Sequence, residues 1–474
     1  GGFAIAYDLA FYNILLNMQT AAPVVLAATL LRGNGVTLPG EPSGPAARQL
    51  LQPLVPLRTL DPRTLNRTTV SSEFRSPYTM QWSLGIQRQI GRRHGVEVGY
   101  VATRSLQQFR TINANPRIDA LFRDFPNLVP SGVIPTPADH PVVISRGRVL
   151  PGEGLIRQRD NGAVSNFHSM QAQYTARFSS LASTVSYTLA KQTDTGTDIF
   201  GTLIGNTVAQ NPFDLNAGEK ARGFIDFRHN LSLSFVYEVP AFKDQKGFLG
   251  HVLGGWQLSG TYRALPDQPY TVQQNNFGSP YNDSDFGLNF VGGFDGALRP
   301  FRGNVNVDHR RVGLDDVTAR TRFEALFAGN PTAPASQYYL LNDLNNNRIT
   351  PVTPDDVRFI VNTRETARRF GSPWGNEPRN SLVGDDLRLG NFSLFKNTRL
   401  ARGFRKDSEP ITLQFRFDMF NVFNNTNLGV PNINGVANFN LDTAGLGFAD
   451  ITENNNGNVA AGRRRINFSL KLIF

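Results

Sequence analysis

The final segment, Arg464 to Phe474, constrains the fold more than any other stretch of the chain. Ile466, Phe468, Leu470, Leu472 and Phe474 take every second position, with Asn467, Ser469 and Lys471 between them. Side chains on a β-strand alternate between faces, so this segment has one apolar and one polar face. Exposed to water as an edge, such a strand would promote aggregation. It is stable where one face meets lipid and the other lines a polar lumen, as in an outer-membrane β-barrel. The same alternating residues, Phe468, Leu470, Leu472 and Phe474, read as a carboxy-terminal signal for barrel-assembly machinery, an expected partner.

The pattern repeats. Between Tyr78 and Ile90, Tyr78, Met80, Trp82, Leu84, Ile86 and Ile90 share one face, and Thr79, Gln81, Ser83, Gly85, Gln87 and Gln89 the other. Phe227–Glu238 alternates Phe227, Leu231, Leu233, Phe235 and Tyr237 with polar residues, Val236 excepted. Ile411–Met419 does the same with Ile411, Leu413, Phe415, Phe417 and Met419 against Thr412, Gln414, Arg416 and Asp418. Further segments are Gly1–Asp8, His94–Arg104, Phe167–Phe178, Leu181–Lys191, Gly255–Ala264 and a weaker Leu387–Leu400. Most match the roughly 9–11 residues of a tilted membrane-crossing strand. A large soluble β-sandwich or propeller also alternates. Aromatic residues near strand ends, and Gln, Ser, Arg and Glu on the inner face, favour the barrel.

Composition is compatible with that reading. No uninterrupted apolar run reaches the roughly 18 residues of a transmembrane helix, and the mean hydropathy of -0.28 suits a polar lumen and polar loops. With no cysteine in 474 residues, a disulfide scaffold, a thiolate metal site and a thiol nucleophile are excluded. The net charge of +10 is scattered, and the one tight cluster, Arg463–Arg465, sits at the mouth of the final strand. It marks a membrane boundary better than a nucleic-acid footprint, and anionic ligands or lipopolysaccharide phosphates suit the positive surface. Gly1 to Asp8 is already strand-like, without the features of an export signal. The expectation is therefore an all-β fold that forms the carboxy-terminal portion, about half, of a large antiparallel transmembrane β-barrel, a single region over 1–474 that is incomplete at its amino terminus. About eleven alternating segments fit half of such a wall.

Connections fall into two lengths. Gly91–Arg93 and Ser179–Ser180 are tight turns, whereas Ser105–Asn166, Gln192–Asp226, Asn275–Asp386 and Asn421–Arg463 are long. Short turns on one side of the membrane and long external loops on the other are the barrel asymmetry. Two loop helices are expected. Pro354–Phe370 opens on proline and two acids, ends on Arg368-Arg369 and stops at Gly371; Asp8–Thr20 is the weaker of the two.

Several motifs resemble one family in the right order: Gly1-Gly2-Phe3-Ala4-Ile5-Ala6-Tyr7-Asp8, Ser76-Pro77-Tyr78-Thr79-Met80-Gln81-Trp82-Ser83-Leu84-Gly85-Ile86-Gln87-Arg88, Val96 to Arg104, Asp226 to Leu231, Tyr237-Glu238-Val239-Pro240, and Phe415 to Asn424. They are similar to Oar-like TonB-dependent receptors of the acidobacterial type. The resemblance implies a Gram-negative outer-membrane location and a barrel of about 22 strands. It also implies an amino-terminal regulatory domain and a plug, neither of which this chain matches. Contact with TonB is expected only through that missing plug.

The sharpest local signal is Asp343-Leu344-Asn345-Asn346-Asn347-Arg348-Ile349-Thr350. Asp343, Asn345 and Asn347, with the carbonyl of Ile349, match the first four ligand positions of a calcium loop, and Asp355 falls one residue beyond the closing acid position. Arg348 stands where the loop needs glycine, and an Asx-rich turn is the alternative. Ca2+ is therefore the one cofactor the residues suggest. Glu97, Arg228, Glu238, Arg416 and Asp418 are the lumen-facing charged candidates, either as ion pairs and plug contacts or as ligand contacts. Trp82, Trp256, Phe415 and Phe417 read as lipid-facing or girdle residues rather than a sugar platform. The six histidines show no zinc spacing, and neither a nucleophile elbow nor a phosphate loop occurs, so no enzyme is expected.

The leading expectation is an outer-membrane receptor barrel for uptake or binding of a bulky external ligand. Its partners are outer-membrane lipid and that unknown ligand, not nucleic acid. The alternatives are a passive or adhesive surface barrel, and a soluble secreted carbohydrate-binding β-protein.

Overall fold

In the computed structural model of the chain, the alternating segments pair in chain order. Ten strands form one antiparallel meander: β1 (Gly2–Tyr7), β2 (Tyr78–Ile90), β3 (His94–Asn113), β4 (Ile156–Arg177), β5 (Leu181–Asp194), β6 (His229–Glu238), β7 (Trp256–Leu265), β8 (Leu387–Ala401), β9 (Ile411–Phe420) and β10 (Arg465–Ile473). The structure describes residues 1–9, 67–196, 209–266, 268–273, 299–401, 411–427 and 463–473, apart from 217 and 385, with short strands at 432–433 and 436–440 and single positions 16, 18 and 65. Among the described residues the sheet is open, with β1 at one edge and β10 at the other.

Register keeps the two faces separate along the wall. One row runs Ile86, Val98, Ala172, Tyr187, Leu231, each opposite the next. Another runs Tyr237, Leu258, Leu394, Phe417, Phe468. The intervening rows are polar: Gln87, Glu97, Gln173, Ser186, Ser232 over the first strands of the wall, and Glu238, Gln257, Phe395, Arg416, Ser469 over the last, with Phe395 the exception. A slip by one residue at any pairing would move a whole strand's apolar set to the polar face.

Connections sort by end. Residues 91–93, 178–180, 239–255 and 402–410 join strands at one end, while 8–77, 114–155, 195–228, 266–386 and 421–464 join them at the other. Gly91 turns the β2–β3 hairpin at φ +62, a conformation that favours glycine. The end with long connections is the extracellular one.

Two expectations change. Ser105–Asn166 is not all loop, because β3 continues to Asn113 and β4 begins at Ile156. Above Ser105 polar residues (Gln107, Gln108, Arg110, Thr111, Asn113) fall on both faces and the apolar Leu106, Phe109 and Ile112 come three apart, which erases the alternation, and the ladder shifts register between Ser105 and Arg110. This part of the hairpin has left the membrane and packs against other loops. Pro354–Phe370 is not one helix either. Pro354–Asp356 forms a 3-10 turn boxed by Thr353, Phe359–Ile360 is a strand, and only Arg364–Phe370 is helical, capped by Thr363 and ended by Gly371 at φ +68. The apolar run Val357, Phe359, Ile360, Val361 is buried and takes a strand in preference to a helix turn. The Asp8–Thr20 helix lies outside the described residues except at its first two positions and at Leu16 and Met18, and these last two are helical.

The long connection between β7 and β8 builds a cap. Its five short strands pair in the order Phe301–Arg302, Phe359–Ile360, Val312–Asp315, Tyr338–Leu340, Pro351–Val352. Two apolar clusters support it. One joins Val312, Leu314, Tyr339, Leu344 and Phe359 to Tyr270 and Val272; the other joins Phe301, Val357 and Ile360 to Ile118, Leu121 and Phe125 from the β3–β4 connection.

Opposite faces of one strand should respond differently to charge. Leu233→Arg, on the apolar face of β6, is expected to destabilise the folded wall by about 2–4 kcal/mol, and Ser234→Arg, one residue on, by about 1 kcal/mol or less. Denaturant titration of the detergent- or lipid-inserted protein checks this, and equal costs would contradict the face assignment.

Candidate functional site

The outer end of the wall carries a buried charge network. Asp194 ends β5 and takes Arg379 Nη2 at 2.7 Å, with both side chains under 5% exposed. Arg379 also reaches Glu219 at 3.2 Å, and Glu219 binds Arg299 at 2.8 Å. Two acids and two bases thus balance where three segments meet: the β5 end, the β5–β6 connection and the cap. Gln210 reinforces the junction, its Nε2 donating to the Gly375 carbonyl and its Oε1 accepting from the Arg299 N–H. Within the cap, Glu377 takes Arg358 and Arg302, each at 2.8 Å. Burial pushes the Glu377 carboxyl up, but hydrogen bonds from Arg358, Arg302 and Ser381 outweigh it and hold it below the usual carboxylate range. A neighbouring cluster is Arg110, paired with Asp160 at 2.7 Å on the extended β3–β4 hairpin and bonded to Asn216 of the β5–β6 connection. Charges buried in this way stay in place only while paired, so the network holds the loops in one arrangement.

Of the lumen-facing candidates, Glu97, Glu238, Arg416 and Asp418 are on the polar face, but the set does not form one site. Arg416 and Asp418 are paired at 2.6 Å, and Asp418 accepts from Ser393 Oγ at 2.5 Å. Glu238 shares a register row with Arg416 but is three strands away, and Glu97 is on β3 opposite Gln87 and Gln173. Arg228 precedes β6, its carbonyl bonded to the Ala190 N–H and its side chain 3.9 Å from Asp226.

In the calcium-like stretch, Asp343 and Asn345 lie in a short helix, Leu341–Asn345. Asp343 is taken by Arg348 Nη2 at 3.0 Å and Thr350 Oγ1 at 2.5 Å. Asn347 holds a positive φ of 55, Ile349 packs on the cap core, and Asp355 sits in the 3-10 turn beyond. A cation there would have to displace Arg348 from Asp343. Among the described residues no three His, Asp or Glu side chains converge as a metal site.

Phe468, Leu470 and Leu472 project from the apolar face and are at least half exposed, and Phe474 lies outside the described residues. Trp82, Trp256, Phe415 and Phe417 share that face, as the register requires. Three histidines are there too, each bonded at 2.7 Å to a tyrosine on the adjacent strand: His94 to Tyr174, His168 to Tyr100 and His229 to Tyr187. Pairing removes the cost of a bare polar group beside lipid and makes these rings girdle residues. A groove of about 780 Å³, lined by Phe235, Tyr262, Phe392 and Phe423, also opens on this outward face, so it is no lumen pocket.

Residue-by-residue reading missed the network of Asp194, Glu219, Arg299 and Arg379. Its members are far apart in the chain and carry no spacing rule. The available signal was Arg and Glu beside proline in long loops, as in Arg299-Pro300-Phe301-Arg302 and Glu377-Pro378-Arg379.

An antiparallel wall with in-register apolar and polar faces, short turns at one end and a folded cap at the other defines a transmembrane β-barrel protein. The chain belongs to the outer membrane beta barrel domain family, which matches residues 1–466. Its place is the Gram-negative outer membrane, which sets aside the soluble secreted alternative. No curated protein matches the chain. It is similar to solved structures including the outer membrane transporter YddB from Escherichia coli (8% identity, TM-score 0.33, 87% of this chain and 34% of that one). Others are the FrpB iron transporter from Neisseria meningitidis (10%, 0.28, 76% and 29%) and the ferripyoverdine receptor of Pseudomonas aeruginosa (10%, 0.33, 84% and 27%). The chain spans about a third of the length of these proteins.

Removing one partner from the network should loosen the cap and spare the wall. Arg379→Met is expected to lower cap stability by roughly 3–5 kcal/mol, read by hydrogen exchange over 299–383, with unchanged mobility of the unboiled protein on gels. Acid should act similarly through Glu377. Its folded pKa is depressed, so the stabilisation is present above the unfolded value of about 4.3 and is lost as pH falls through the folded value. Protease nicking of the cap should therefore rise below that range, and Glu377→Gln should remove this part of the pH dependence.

Proposed function

We propose that this chain forms wall and external cap of an Oar-like TonB-dependent receptor that binds and takes up a bulky external ligand. The observation that carries the reading is the cap itself. Long loops that only shielded the barrel mouth would not need buried pairs such as Arg379–Asp194 and Arg299–Glu219, because ordering them costs entropy and desolvating the charges costs more. A fixed arrangement of loops is what selective recognition requires. The motifs Ser76 to Arg88 and Phe415 to Asn424 support the Oar-like assignment. On this reading TonB acts through a plug that belongs to a part of the receptor other than this barrel region, and the chain itself performs no bond chemistry.

Detergent-solubilised protein would be titrated with a panel of ferric siderophores, oligosaccharides and exported peptides. Saturable binding of at least one class, weakened tenfold or more by Arg379→Met, is the expected result. No binding across the panel, together with steady ion conductance in planar bilayers, would favour the passive surface barrel.

A further inference from the structure

The periplasmic turns 91–93 and 178–180 are tight, but the β6–β7 connection, residues 239–255, carries a helix at Gly247–Leu253. Phe248 is 83% exposed, Leu249 63%, and Val252 and Leu253 46% each. Positions i, i+1, i+4 and i+5 share one side of a helix, so these four make a single apolar stripe. The stripe is held outward. On the opposite side Gly250 rests on the Gln245 backbone, where a Cβ would come within 2.8 Å, and a Cβ at Gly254 would come within 2.1 Å of the Phe242 carbonyl. Trp256 Nε1 donates to the Val252 carbonyl at 3.0 Å, and Lys396 Nζ donates to the Gly254 carbonyl. Gln245 ties the loop to β8, donating to the Asn397 carbonyl at 2.7 Å and accepting from the Arg399 N–H at 3.0 Å.

Those anchors also say which side of the wall the helix meets. Lys396 lies opposite both Trp256 and Phe415, in a row of the apolar face. The helix therefore joins the lipid-facing surface at its periplasmic rim, and its stripe continues that surface. Lys246 is exposed at the start of the helix, where it can meet phosphate headgroups, while Lys243 lines a polar cleft with Glu238 and Gln257.

We infer that residues 247–253 are an interfacial anchor embedded in the periplasmic phospholipid leaflet of the outer membrane. Phe248, Leu249, Val252 and Leu253 enter the acyl region, and Lys246 stays at headgroup level. Such helices sink about 5–10 Å into the boundary. The inference depends on the barrel wall and not on the identity of any ligand.

The chain has no cysteine, so single labels can be placed cleanly. The variants F248C, L249C, D244C and F468C would carry an environment-sensitive fluorophore in phosphatidylethanolamine–phosphatidylglycerol nanodiscs, using only preparations whose unboiled mobility shows a folded wall. Labels at 248 and 249 should be quenched about twofold or more by acyl-chain nitroxide lipids and shielded from aqueous iodide, as at 468, while the label at 244 shows the reverse. Iodide quenching at 248 and 249 equal to that at 244 would overturn the inference. Shielding from both quenchers would also overturn it, because the helix would then be covered by protein.

Discussion

Inside a bilayer no water is available to satisfy backbone N–H and C=O groups, and everything in this fold depends on that constraint. The strands answer it by pairing with their chain neighbours, from Gly2–Ser83 at one edge to Met419–Ile466 at the other. Pairing alone is insufficient, because each strand must also keep its apolar side chains toward lipid. The unbroken row from Tyr237 through Leu258, Leu394 and Phe417 to Phe468 shows both conditions met by one register. Among the described residues no strand lies beside the outer edges of β1 and β10, and a wall in lipid needs such edges paired.

Outside the membrane a different balance holds. Apolar clusters around Leu314, Tyr339 and Phe359 give the cap a core of its own, like that of a small soluble domain. Buried ion pairs then fasten this core to the wall. Replacing such pairs with apolar residues often costs nothing in stability, so their use at the β5 end is better explained by fixing geometry. Asp194 is the link between the two regimes: it ends a membrane strand and receives an arginine from the cap.

Legibility in the sequence followed the same division. Where a strand separates lipid from a polar lumen, its environment writes a two-residue period, and Tyr78–Ile90 and Leu387–Ala401 were readable nearly to the residue. Where β3 and β4 rise beyond the membrane, both faces meet protein and the period disappears, so Gln108–Asn113 and Ile156–Ser165 read as loop. In the cap, the helix signals around Pro354 and Gly371 were genuine end signals belonging to two elements, with the buried strand Phe359–Ile360 between them. The charge network was illegible for a further reason. Asp194, Glu219, Arg299 and Arg379 meet only through tertiary structure, and a lone Arg or Glu in a loop ordinarily reads as solvated.

The central claim is that one face of the sheet meets lipid and the other a watery lumen. Nitroxide scanning of Trp82 to Gln87 in bilayers, one cysteine at a time, tests it most directly. Accessibility to oxygen should peak at Trp82, Leu84 and Ile86, and accessibility to a water-soluble nickel chelate at Ser83, Gly85 and Gln87. Uniform accessibility to the chelate along all six positions, with no two-residue period, would contradict the account.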